Sequence, residues 1–190
     1  MREENNYRCL IDYMRNSSYE VHQRWENTSA YREHEQKTKN YTKEKWAEAN
    51  DGLMAIFAEF AACKGRGMSA DSDEVQALVA KLQAHITESY YTCTDEILAG
   101  LGKMYVADER FKKNIDKYGE GTAEFAAKAI RLHCLKFGEC VTVKCIGLED
   151  PLMLRRGKIY KGKVSKLNWI AIVDETGEEY VYPPELFEFV

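Results

Sequence analysis

Proline is scarce in this chain, three residues in 190, and acidic and basic residues alternate instead of gathering into blocks of one sign. Wholesale disorder is thereby excluded, since 45% of residues are hydrophobic and 31% charged. No apolar run approaches membrane-spanning length, and the opening MREENNYRCL lacks an apolar signal core. The expected location is the cytoplasm, with no membrane partner. In that compartment the six cysteines (Cys9, Cys63, Cys93, Cys134, Cys140, Cys145) are expected as reduced thiols, and no CxxC pair occurs. His133, Cys134, Cys140 and Cys145 fall close in sequence, but their separations match no zinc pattern. No metal or other cofactor is expected. HExxH, GxSxG and a glycine-rich phosphate loop are also missing; KGRG follows no strand and has the wrong spacing. A net charge of −4 leaves no footprint for a phosphate backbone, which argues against direct nucleic-acid binding.

What is present falls into two regions of different period. Up to about Gly138 apolar residues recur at helical spacing. Ser17 to Glu20 forms a capping box ahead of a first helix through Trp25. Thr42 opens a second, with Tyr41 and Trp46 placed as a hydrophobic staple; its stripe Trp46, Leu53, Ile56, Phe57, Phe60 stops at KGRG. Asp71 to Glu74 repeats the capping pattern ahead of Val75, Leu78, Val79, Leu82 and Ile86. Thr92 or Thr94 starts the next helix, with Ile97, Leu98, Leu101, Met104 and Tyr105 on one face. Two shorter helices carry Phe111, Ile115 and Tyr118, then Phe125, Ala126, Ala129, Ile130 and Leu132.

Beyond Gly138 the period becomes two, in CVTVKCI, KIYKGKV, WIAIV and EEYVY. DETG between the last two is a hairpin turn with Gly177 at positive φ, and Pro183–Pro184 ends the final strand. Roughly fifty residues of short strands point to a small SH3-like barrel. The expected fold is therefore α+β in two parts: a helical domain over 1–138, with 1–18 a divergent leader, and an all-β barrel over 139–190.

Four histidines (His22, His34, His85, His133) are scattered, and His85, beside the Leu82–Ile86 stripe, reads as hydrogen-bonded and partly buried. Glu33, Glu35, Lys37 and Lys39 read as a solvated face. Tyr19, Trp25, Tyr31, Tyr41 and Trp46 occur within one very polar segment, about 19–46, which cannot close a compact core alone. It either docks onto the helices that follow or folds over an apolar partner and supplies stacking surface. Cys93, in SYYTCTDEILAGLGKMY, stands at the apparent start of a helix, where thiol pKa values fall. Nucleophile, pocket wall and plain core are all open to it.

RWENTSAYREHEQKTKNYTKEKW (Arg24 to Trp46) and LGKMYVADERFKKNIDKYGEGTAEFAAKAI (Leu101 to Ile130) closely resemble the TipA antibiotic-recognition domain. That domain is the effector half of thiostrepton-induced regulators of the MerR type, and the resemblance covers about residues 19–134. It implies an all-α, globin-like but haem-free domain that binds thiopeptides and related large, heterocycle-rich antibiotics in a cleft. The segment before the YTKE helix would order around the drug. By position, Trp25, Tyr31, Tyr41 and Trp46 would line the closing segment. Tyr90, Tyr91, Cys93, Leu98, Leu101, Met104 and Tyr105 would form the helix floor. The family position that traps a dehydroalanine of the drug is Gly100 here, so Cys93 is expected as pocket wall.

The 18 residues before Tyr19 are too few for a winged helix or a dimerising coiled coil, so a stand-alone form of the regulator with an added barrel is expected. The expected protein is thus a non-catalytic binder of a thiopeptide-like antibiotic, lowering free drug or signalling through a partner. The alternative is a drifted fold serving as a protein-interaction adaptor, with YVYPPELF and Trp169 offering the barrel's aromatic surface to a protein partner. An enzyme built on Cys93 finds no histidine assigned beside the thiol.

Overall fold

The computed structural model describes residues 28–147 and 153–190. The expected first helix, from Ser17 through Trp25, lies outside them. Among the described residues six helices precede five strands: α1 (Ser29–Thr38), α2 (Lys43–Gly65), α3 (Asp73–Ser89), α4 (Asp95–Ala107), α5 (Glu109–Asp116), α6 (Thr122–His133), β1 (Cys140–Cys145), β2 (Ile159–Val164), β3 (Ile170–Val173), β4 (Glu179–Tyr182) and β5 (Phe187–Phe189). Among the described residues no helix is long and apolar enough to cross a membrane.

Local chemistry explains the helix ends. Thr42 Oγ1 accepts from the Lys45 N–H at 3.3 Å, and the Tyr41 and Trp46 rings meet edge-on at 5.4 Å. The staple read from the sequence is therefore in place. Ser72, one residue later than expected, supplies the carbonyl that accepts the first bond of α3, from Gln76 N–H at 2.9 Å. Thr94, not Thr92, caps α4 through the Ile97 N–H. Gly121 precedes α6 without a side chain to cap it, and Asp116 Oδ1 takes over by accepting from the Ala123 N–H at 2.9 Å.

The chain folds as two compact units. Of the described residues, the first holds 28–53 together with Gln83–Cys93, and the second Met54–Leu82 with 94–147 and 153–190. In the second, Ile56, Phe57, Phe60, Val75, Val79 and Leu82 are buried with Leu98, Tyr105, Ile115 and the Ala126, Ala129, Ile130 face of α6. The same unit contains a five-stranded antiparallel sheet in the order β4-β3-β2-β1-β5. β1 pairs with β2 (Val143 opposite Tyr160) and with β5 (Val143 opposite Phe189), and a 3-10 turn, Pro184–Leu186, leads into β5. This is an SH3-like barrel. Alternate residues point inward: Val141, Val143 and Cys145 from β1, Tyr160 and Val164 from β2, Ile170 and Ile172 from β3. Gly177 takes φ +85° in the β3–β4 turn, as the sequence requires. β5 is an addition to the sequence reading, which ended the barrel's strands at Pro183–Pro184. Helix α6 meets the barrel within this unit: Arg131 pairs with Glu139 at 2.9 Å and lies over the Phe189 ring at 5.1 Å, while Asn168 Nδ2 donates to Leu132 O at 3.2 Å.

Candidate functional site

Helix α1 is the element that the hydrophobic pattern missed, because it holds little that is apolar. Thr28 caps it by accepting from the Tyr31 N–H at 3.2 Å, and no α1 residue is fully buried. Its half-buried positions still fall at helical spacing: Ala30, Tyr31, Glu33, His34, Lys37 and Thr38. That face is fastened to the C-terminal end of α3 and the loop after it. Lys37 Nζ donates to Thr87 O at 2.6 Å, and Tyr41 Oη, just past α1, donates to Ser89 O at 2.8 Å. These are last-turn carbonyls, which lack helical donors of their own. The Glu33 carboxylate accepts from Thr92 N–H at 3.0 Å and from Thr92 Oγ1 at 2.9 Å. The two bonds, backbone first, hold its carboxyl below the usual carboxylate range. Glu33 and Lys37 therefore tie the helix down, a correction to the sequence reading of this charged stretch as solvated surface.

Fastened in this way, α1 sets the His34 ring among aromatics. The Tyr90 ring lies nearly parallel to it (centroids 6.3 Å apart, 13° between planes), with Trp46 at 6.1 Å and Tyr91 at 6.3 Å, both tilted. Tyr41 meets Trp46 edge-on, and Trp46 and Tyr90 are 6.3 Å apart. On its other side Tyr90 meets His85 at 6.5 Å, edge-on, and its hydroxyl donates to Asn50 Oδ1 at 3.0 Å. His85 is partly buried with its Nε2 2.8 Å from Ala49 O, the state expected of it. Gly52 makes room for that ring: a Cβ there would lie 2.5 Å from His85 Cε1.

The cluster is half-buried. Burial raises the Tyr90 hydroxyl pKa and pushes that of Tyr91 up to about 12. Burial also lowers the pKa of His34, and the nearby Glu35 carboxylate only partly opposes it. The His34 imidazole is thus neutral at pH 7. Among the described residues its Nε2 is the only buried side-chain nitrogen or oxygen without a hydrogen-bond partner. Leaving such a group unpaired costs about 1–3 kcal/mol.

The structure therefore brings together Tyr41, Trp46, Tyr90 and Tyr91 from the expected binding set, with Tyr31 one turn before His34 on α1. Trp25 lies outside the described residues. Cys93 belongs to the same unit and is buried, 5% exposed. Its N–H donates to Thr87 Oγ1 at 3.1 Å and its carbonyl accepts from Gln83 Nε2 at 2.9 Å. It precedes the Thr94 cap and so stands outside the first turn of α4. Leu98, Leu101, Met104 and Tyr105 belong to the second unit. There Tyr105 packs edge-on against Phe57 at 5.3 Å and lies 6.2 Å from Phe111, and Leu98 is fully buried. His34 and Glu33 were not singled out by sequence reasoning. The available signal was their place on the same α1 face as Tyr31 and Lys37.

Comparison with known proteins places the helical region among named relatives. The chain is 37% identical over 117 residues to the HTH-type transcriptional activator TipA of Streptomyces coelicolor and of Streptomyces lividans. The match covers 62% of this chain and 46% of each relative. It is also 37% identical over 102 residues to the HTH-type transcriptional activator mta of Bacillus subtilis, covering 54% of this chain and 39% of that one. The chain thus spans less than half the length of the curated relatives it matches. Among solved structures it resembles TipAS in complex with nosiheptide, from a thiopeptide antibiotic multidrug resistance system of Streptomyces lividans. That likeness has a TM-score of 0.62 at 33% identity and covers 70% of this chain and 94% of the other. The helical region has the globin-like fold of that neighbour, and the SH3-like barrel follows it. The model of the TipAS antibiotic-recognition domain matches residues 18–133, and the chain belongs to that family.

Proposed function

We propose that this protein binds thiopeptide-type or other large, apolar, heterocyclic antibiotics without transforming them. The aromatic cluster of Tyr41, Trp46, Tyr90 and Tyr91 supplies the stacking surface, and α1, with Tyr31, covers it. The observation that carries the reading is the likeness to a TipAS structure holding nosiheptide, joined to a half-buried aromatic cluster under a helix that is tied down by polar bonds. A planar heterocycle can exchange for aromatic contacts of similar area, and polar ties release more readily than a packed apolar face. Trp25 is assigned to the same covering segment on the strength of its place in the matched region. Cys93, buried and outside the first turn of a helix, is assigned as wall and not as nucleophile.

The consequence is sequestration of the drug, or sensing of it linked to transcription through a partner. The barrel, 139–190, is proposed as a separate module following a helical domain of 1–138. Its exposed Trp169 and Tyr180 favour a second reading, in which it docks a protein. Titration of the full chain with nosiheptide, followed by calorimetry and intact-mass spectrometry, tests the function. Saturable binding with unmodified protein mass supports it. No binding at micromolar concentrations refutes it, and an adduct lost in Cys93→Ser would make Cys93 a nucleophile.

A further inference from the structure

His34 is where the chemistry of the cluster is incomplete. Every ring around it supplies apolar surface, and its Nε2 is the one buried side-chain polar atom without a partner among the described residues. A phenyl ring would fill the same aromatic niche without an unpaired Nε2. The ring faces of Trp46 and Tyr91, tilted against the imidazole at 51° and 57°, are weak substitutes for a true acceptor or donor. Buried groups of this kind in native proteins call for a ligand, a water or a chemical task.

We infer that His34 is the specificity-determining polar contact of the antibiotic site, its Nε2 pairing with an amide or azole group of the drug that enters the aromatic cluster. The inference rests on the binding function proposed above. Stacking on Trp46 and Tyr90 accepts any flat apolar ring. A hydrogen bond made at the buried Nε2 atom separates heteroaromatic, amide-bearing ligands from plain hydrocarbons. The position on α1 gives the contact a second effect, because the drug that satisfies Nε2 also holds the covering helix in place.

The test compares wild type, His34→Phe and His34→Gln, using nosiheptide as the probe. Thermal unfolding is measured without drug and affinity with it. His34→Phe should be as stable as wild type or more so without drug, and should bind nosiheptide about tenfold more weakly, the loss expected when one buried hydrogen bond goes unmade. His34→Gln, which keeps a polar terminus, should recover part of the affinity. In the wild type the 15N resonance of His34 Nε2 should shift on binding, which reads the contact even if a variant folds poorly. Equal affinity of wild type and His34→Phe, or an Nε2 resonance that stays in place while drug binds, overturns the inference alone. Failure of the wild type to bind nosiheptide overturns the functional reading and takes this inference with it.

Discussion

Tyr41→Phe isolates the fastening of α1 without disturbing its aromatic packing. The substitution removes only the hydroxyl that donates to Ser89 O at 2.8 Å and leaves the ring against Trp46. The bond is worth about 1 kcal/mol net, rising toward about 3 kcal/mol if the carbonyl of Ser89, a buried residue at the end of α3, is left with no donor. A ten-residue helix with no fully buried side chain has no stability of its own in water. The whole of this loss should therefore fall on local opening of α1. A loss of 1 kcal/mol makes opening about fivefold more frequent. Native-state hydrogen exchange should show α1 amides exchanging at least about fivefold faster in Tyr41→Phe, while the Phe57, Phe60 and Val79 amides keep their protection. If α1 amides in the wild type are protected as strongly as those of α3, α1 opens only with global unfolding and the covering-helix account is wrong. If they are weakly protected but unmoved by the substitution, the Tyr41 hydroxyl contributes nothing.

Two other outcomes follow from the same unit. Gly52→Ala places a Cβ 2.5 Å from His85 Cε1, so His85 must leave Ala49 O. Overpacking of about 1–3 kcal/mol outweighs the roughly 1 kcal/mol that alanine adds to helix propensity, and chemical denaturation should show net loss. In a His85→Ala background the same change should be neutral or stabilising; loss there would refute the steric account. The pH dependence has a definite sign. His34 has a lowered pKa in the folded protein, so docking of α1 is fully stable above the ordinary histidine pKa of about 6.5 and weakens as pH falls through that value toward the folded one. Glu33, also lowered, keeps its ties to Thr92 until pH falls below about 4.5, a separate window. Protection of α1, corrected for intrinsic exchange, should drop between pH 7 and 5 in wild type but not in His34→Phe.

The larger part of the architecture was legible because its pattern is written in apolar residues. The stripes Trp46 to Phe60 and Val75 to Ile86 lie on α2 and α3, and the change of period at Gly138 marks the start of β1 two residues later. Turn chemistry was equally readable: Gly177 at φ +85° follows from DETG without any knowledge of packing. β5 was lost because FEF after two prolines is too short for a period. Its place is decided by pairing with β1, Val143 against Phe189, a tertiary fact. The cap of α6 was lost for a similar reason, since Asp116 reaches the Ala123 N–H from the preceding helix.

Helix α1 and His34 went unread for a different cause, and it bears on function. The face that α1 turns inward carries Glu33, His34, Lys37 and Thr38 where a permanent core element would carry leucine or valine. Hydrophobic periodicity is a record of burial that must never be undone. A helix that has to lift to admit a large apolar ligand is better held by Lys37, Tyr41 and Glu33 on backbone carbonyls, a backbone N–H and a hydroxyl, bonds that water replaces at little net loss. Leucines on that face would seal the cluster, at about 1.5–3 kcal/mol for each side chain buried. The polarity that hid α1 from the sequence pattern is thus the same property that would let it open, as the proposed binding function requires.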